Sequence, residues 1–141
     1  MNRILCAHSE DQVPARLLIA EDDRAFRSLL AANLRDDGYE VEEVCDGHEL
    51  LRRLAAVIDG GTGAREPRLV IADVHMPNVG GLDALRWVRD RAIDLPFIMI
   101  TAFGSRTIHA RAELLGAYAV FDKPFDVDDL RTAVLNALAW V

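Results

Sequence analysis

The sequence predicts an α/β fold, a five-stranded, doubly wound parallel sheet with helices on both of its faces. Three observations carry this reading. Five short apolar runs alternate with five segments of helical periodicity, the pattern of right-handed strand–helix–strand crossovers. The central run, Leu69-Val70-Ile71-Ala72, is apolar at every position, as in a strand covered on both sides. Turn formers bound it, with Pro67 before and Pro77, Gly80 and Gly81 after.

Residues 1 to about 15 are polar and irregular, broken by Pro14, and are expected to form a flexible N-terminal extension to a single domain spanning 16–141. Arg16 to Ala20 is the first strand, ending in Glu21-Asp22-Asp23. Arg24 to about Asp37 carries Phe26, Leu29, Leu30 and Leu34 on one face, a helix stopped by Gly38. Asp23 reads as a first-turn charge favouring that helix's N-terminus. Tyr39 to Val44 alternates apolar and acidic residues, which suggests an outer strand. Asp46-Gly47 turns the chain into a helix with Leu50, Leu51, Leu54, Ala55 and Ile58 along it. The loop from Gly60 to Pro67 is longer than most helix-to-strand connections. After the central strand, a helix from about Leu82 to Arg91 turns Leu85 and Val88 inward. Pro96 to Ile100 is a fourth strand, ending in Thr101-Ala102. Ser105 caps a short helix holding Ile108, Ala112 and Leu115, closed by Gly116. Tyr118 to Phe121 is a fifth strand, followed by Asp122-Lys123-Pro124-Phe125. Asp126 and Asp129 have the spacing of a capping box for a last helix through Leu130, Val134 and Leu138.

At 141 residues, with 51% hydrophobic and 28% charged positions, the composition is globular and sufficient for one core. No apolar run approaches membrane-spanning length, and the segment Met1 to His8 is too short in apolar content for a signal peptide. Cys6 and Cys45 have neither metal nor redox spacing and read as reduced thiols of a cytoplasmic protein. A net charge of -7 and a pI near 5.0 argue against a nucleic-acid surface and favour a protein partner or a metal ion. His8, His48, His75 and His109 form no metal spacing, and Trp87 and Trp140 read as packing or partner-facing helix residues. Of the 16 basic residues, 15 are Arg and the single Lys is Lys123. An ammonium is a compact point charge where a guanidinium is a planar fork, so the two are not interchangeable at one oxygen.

The carboxyl ends of the strands carry the chemistry. They hold Glu21 and Asp22, then Asp73, then Thr101, then Lys123. Open parallel sheets bind ligands at these ends, so residues remote in sequence become neighbours. Three carboxylates together repel unless a cation lies among them, and oxygen-only donors suggest Mg²⁺. Lys123 and Thr101 supply donors to an anionic group, and an Asp carboxylate such as Asp73 can accept a phosphoryl group as an acyl phosphate.

Four segments in order now carry a resemblance: Leu18 to Asp23, Asp73 to Gly81, Ile100-Thr101-Ala102 and Lys123-Pro124-Phe125. From Arg16 to Val141 the chain resembles the response regulator receiver domains of two-component signalling systems, the CheY-like superfamily. The resemblance implies a flavodoxin-like strand order of 2-1-3-4-5. It implies that Asp73 is the phosphoacceptor, fed by a sensor histidine kinase or a histidine phosphotransfer protein. Glu21, Asp22 (more directly) and Asp73 would hold Mg²⁺ with the backbone carbonyl of His75. Thr101 would hydrogen-bond the phosphoryl oxygen and Lys123 would pair with it, across a cis Lys123-Pro124 peptide. The chain would then be a signalling phosphoacceptor and not an enzyme beyond its own phosphotransfer and dephosphorylation. A downstream protein target or output domain would read the switch, and the 105–141 face allows a homodimer. Neither nucleic acid nor membrane would be bound directly.

Two features depart from the family's pattern. The position three before the lysine, usually Tyr or Phe, is Val120, with the aromatic displaced to Phe121. The positions two after Asp73 and two after Thr101 are His75 and Phe103, where smaller or polar groups are common. Two rival readings are weaker. A phosphatase with an Asp nucleophile would be expected to place a second Asp where His75 stands. A receiver-like interaction module that works without phosphorylation would ordinarily have lost the acidic pair, the acceptor or the lysine.

Overall fold

The structure, a computed structural model, describes residues 13–60 and 66–139. Most of the expected N-terminal extension, with Cys6 and His8, lies outside the described residues, as do the middle of the 60–67 loop and Trp140. Among the described residues ten elements alternate: β1 (Arg16–Ala20), α1 (Arg24–Asp36), β2 (Glu40–Val44), α2 (Gly47–Asp59), β3 (Leu69–Asp73), α3 (Gly81–Asp90), β4 (Phe97–Thr101), α4 (Arg106–Leu114), β5 (Ala119–Asp122) and α5 (Val127–Ala139). These five strands pair in parallel, in the order β2-β1-β3-β4-β5, which is the 2-1-3-4-5 order.

The period of two along each strand divides the core into two layers. Leu17, Ile19, Leu69, Ile71, Ile98 and Ile100 face α1 and α5, packing on Leu30, Leu34, Leu130 and Val134. Their neighbours Leu18, Ala20, Val70, Ala72, Phe97 and Met99 face the other way, onto Leu50, Leu54, Leu85, Val88 and Ala112 of α2, α3 and α4. This double covering is why β3 and β4 are buried at all five positions and read as continuous apolar runs.

Element ends follow local chemistry. Pro96 has no N–H to donate, so β4 begins at Phe97, while the Pro96 carbonyl still accepts from Val70 N at 3.0 Å. Thr101 is the last residue of β4, at the carboxyl end where the sequence placed it. Asp23 is the N-cap of α1, its Oδ1 accepting from Phe26 N at 3.1 Å, a more specific role than a first-turn charge. At α5 the expected capping box is replaced. The Asp126 carboxylate accepts from Asp128 N at 2.9 Å, and the Asp129 amide goes to the Asp126 carbonyl at 3.0 Å. Gly81 opens α3 hard against the end of β3. A Cβ there would lie 2.6 Å from the Asp73 carbonyl oxygen and 2.6 Å from Met99 Cε, so a larger residue would displace the strand end that carries Asp73.

Candidate functional site

Strand register brings the candidate residues together. Ala20 pairs with Ala72, so Glu21 and Asp73 continue side by side at the top of β1 and β3. Asp73 pairs with Ile100, and Thr101 with Asp122, so Thr101 and Lys123 follow one step above. All five residues that sequence placed at strand ends meet at this edge. Glu21, Asp73 and Thr101 are buried, Lys123 is half-buried, and Asp22 is exposed at the rim.

Lys123 Nζ donates to Asp73 Oδ2 at 2.8 Å and to Glu21 Oε1 at 3.1 Å. The other oxygen of each carboxylate is also held: Asp73 Oδ1 accepts from His75 N at 2.7 Å, and Glu21 Oε2 from Asp23 N at 2.9 Å. It is the amide of His75, the residue expected to offer its carbonyl, that meets Asp73. Thr101 Oγ1 accepts from Phe103 N at 3.2 Å, which fixes the hydroxyl at the head of the β4–α4 loop. The Lys123-Pro124 peptide is cis, as the resemblance implied.

The electrostatics are those of crowded carboxylates with too little positive charge. Among the described residues, Glu21, Asp22 and Asp73 form a group whose oxygens lie within 4.8 Å of one another, a donor set suited to a hard divalent cation. Burial and the adjoining Asp73 push Glu21 up to about 7, against the hydrogen bonds from Asp23 and Lys123. Burial alone would lower the Lys123 ammonium, but its hydrogen bonds to Asp73 and Glu21 and their charge outweigh it, and its pKa is raised.

The Glu21 shift has a sign that can be tested. Its folded value lies above its ordinary 4.5, so the stability it contributes is full below about 4.5 and is lost as pH rises through about 7. In EDTA, Glu21→Gln is expected to gain stability relative to the wild type across that rise, with the smallest difference at the acid end. Paired urea titrations measure this, and a gap that shrinks with rising pH would contradict it.

The two departures also find places. Val120 packs with the α2–α4 layer, whereas Phe121 packs with the α1–α5 layer, 5.3 Å from the Phe125 ring. The displaced aromatic is thus on the opposite face of the sheet from Val120. Phe103 is 78% exposed, and its ring stands edge-on to His75 with centroids 5.9 Å apart.

Two neighbours of the site were not singled out as such in the sequence. Arg27 donates to the Glu21 carbonyl at 2.7 Å and to Glu43 at 3.3 Å, holding the turn that carries the acidic pair. Phe26 lies beneath Lys123, with Nζ 4.5 Å from the ring centroid. Helical periodicity marks both as residues of α1 but does not say which strand end they reach.

A 2-1-3-4-5 parallel sheet whose central edge gathers three carboxylates, a buried threonine and a lysine defines the class of CheY-like signalling receivers. The comparisons agree: a family model for the response regulator receiver domain matches residues 17–135. The chain belongs to that family. It is 42% identical over 128 residues to the transcriptional regulatory protein PdtaR of Mycobacterium tuberculosis, covering 90% of this chain and 58% of that protein. It is 35% identical over 118 residues to the response regulator MprA of Mycolicibacterium vanbaalenii, covering 84% of this chain and 48% of the other. The chain therefore spans roughly half the length of these curated relatives. Among solved structures it is similar to a CheY-like response regulator receiver domain protein from Methanospirillum hungatei. That match has a TM-score of 0.78 and 25% identity, covering 91% of this chain and 96% of the other. No helix among the described residues is long and apolar enough to cross a membrane.

Proposed function

We propose that this receiver takes a phosphoryl group on Asp73 from a phosphohistidine of a sensor kinase or phosphotransfer protein and passes the change to a protein target or output domain. The observation that carries this is the Lys123 ammonium bridging the buried Asp73 and Glu21 beside a buried threonine hydroxyl. An Asp73 oxygen attacks phosphorus, the phosphorus–nitrogen bond breaks, and the leaving imidazole keeps the electron pair. His75 N holds one Asp73 oxygen and so orients the other. Lys123 and the Thr101 hydroxyl then stand ready to donate to the phosphoryl oxygens.

The donor set of Glu21, Asp22 and Asp73 fits Mg²⁺, with the His75 carbonyl as the further ligand that the resemblance implies. When bound, the ion would neutralise the carboxylates and the incoming phosphoryl oxygens. Receiver domains as a family work with histidine kinases and output domains. Here Thr101 leads into α4 and Lys123 into α5, so the face from Ser105 onward is proposed as the one that changes. Exposed Leu114, Tyr118 and Leu135 lie on its elements or the turns between them, and a second copy is one partner that this face allows. The test is incubation with acetyl phosphate or a phosphorylated kinase, with Mg²⁺ or EDTA. Incorporation only with Mg²⁺ supports the reading, and equal incorporation in EDTA contradicts it.

The lifetime of the product is set at the mouth of the site. Hydrolysis needs a water in line with the bond from Asp73 to phosphorus. His75 and Phe103, whose amides hold Asp73 and Thr101, stand with their rings edge-on to each other. An apolar ring offers water no hydrogen bond, whereas an imidazole near neutral pH can orient or deprotonate it. The steric effect is expected to dominate, because water must enter before a base can act on it. Phe103→Asn should speed loss of label on the order of tenfold, about 1.4 kcal/mol of barrier, with little change in His75→Ala. Decay unchanged in the first variant and markedly slowed in the second would reverse the ranking.

A further inference from the structure

We propose that Phe26 is a positioning residue for Lys123, and that its ring, with those of Phe125 and Phe121, ties the place of that ammonium to the packing of α1 against α5. This rests on the reading of Asp73 as phosphoacceptor and names where its switch is felt.

The geometry is continuous. Lys123 Nζ sits 4.5 Å from the Phe26 ring centroid. Phe26 meets Phe125 edge-on at 5.9 Å and 80°, and Phe125 meets Phe121 at 5.3 Å. All three rings pack on the α1–α5 layer of the core. On the opposite layer, β5 contributes Val120, which is aliphatic. The ammonium therefore has three attractions: Asp73 Oδ2, Glu21 Oε1 and the negative face of one ring.

These attractions compete when charge arrives at Asp73. A phosphoryl group places further anionic oxygens beside Asp73, and a flexible ammonium follows them. Leaving the Phe26 face removes that ring's cation and frees it to repack against Phe125. Phe125 stands two residues after Lys123 and ahead of α5, and Phe26 stands within α1, so the adjustment falls on the contact between those helices. The route uses the displaced aromatic, Phe121, as part of the layer it occupies.

Lys123 is the only lysine in the sequence, so its side-chain signals are unambiguous in a nuclear magnetic resonance spectrum. Beryllofluoride with Mg²⁺ serves as the phosphoryl mimic on the wild type, Phe26→Leu and Phe26→Tyr. In the wild type the Lys123 ε-methylene resonance should carry a ring-current shift that beryllofluoride removes, and amide exchange across 127–139 should change. Phe26→Leu, close in volume, should lose both the shift and the α5 change, and Phe26→Tyr should restore them. Retention of either in Phe26→Leu would overturn the proposal. Amide shifts at His75 and Thr101 report occupancy in the same samples. Their failure to move in the wild type would overturn the phosphoacceptor reading, and the proposal with it. Movement there with an unchanged α5 response in Phe26→Leu would overturn the proposal alone.

Discussion

Asp73→Asn is expected to abolish phosphoryl incorporation from acetyl phosphate in the presence of Mg²⁺. An amide oxygen is a poor nucleophile toward phosphorus, and it cannot form the acyl phosphate that a carboxylate forms. The fold of the variant should hold, because Asn keeps an oxygen for His75 N and is nearly the same size as Asp. What it loses is the charge opposite Lys123, whose ammonium retains Glu21. Intact-protein mass measurements over time decide the matter. A variant that gains the phosphoryl group as readily as the wild type would remove Asp73 from its role.

Lys123→Met should have a large effect of a different kind. In the metal-free protein this one ammonium opposes two buried carboxylates, at 2.8 and 3.1 Å. Removing one partner of a buried ion pair strands the other, which typically costs on the order of 3 kcal/mol. Partial exposure of Lys123 and protonation of Glu21 both soften that loss, so it should be smallest in acid and largest above about pH 7. Mg²⁺ should recover much of it, because the cation supplies what the lysine supplied. Urea titrations with EDTA and with Mg²⁺ measure both effects. A variant as stable as the wild type in EDTA, or one indifferent to Mg²⁺, would mean that the lysine does not balance the acidic cluster.

The residues legible in the sequence share one property, which is that they end strands. Glu21, Asp22, Asp73, Thr101 and Lys123 could be collected from a linear chain because parallel topology gathers strand ends whatever their separation. Twofold alternation also separates Val120 from Phe121, since neighbours on a strand point to opposite layers. Which layer each faces depends on how β5 is registered against β4, and the Thr101–Asp122 pairing settles that only in three dimensions. Phe26 was visible as a residue on the apolar face of a helix. Its place under Lys123 depends on the rotation of α1 about its own axis, which periodicity leaves open. The capping box expected from Asp126 and Asp129 failed for a local reason: the Asp126 carboxylate accepts from the Asp128 amide, and the Asp129 amide goes to the Asp126 carbonyl instead. Arg27 escaped notice because its hydrogen bond goes to a backbone carbonyl, a partner with no sequence signature.

The most direct measurement is the position of the phosphoryl group itself. Protein incubated with acetyl phosphate and Mg²⁺ can be reduced with borohydride, which converts an aspartyl phosphate into homoserine, then digested and sequenced by mass spectrometry. The expected result is homoserine at residue 73 and at no other acidic position, with none formed in EDTA. Homoserine at residue 22, or a phosphoryl-bearing protein with Asp73 unconverted, would contradict it.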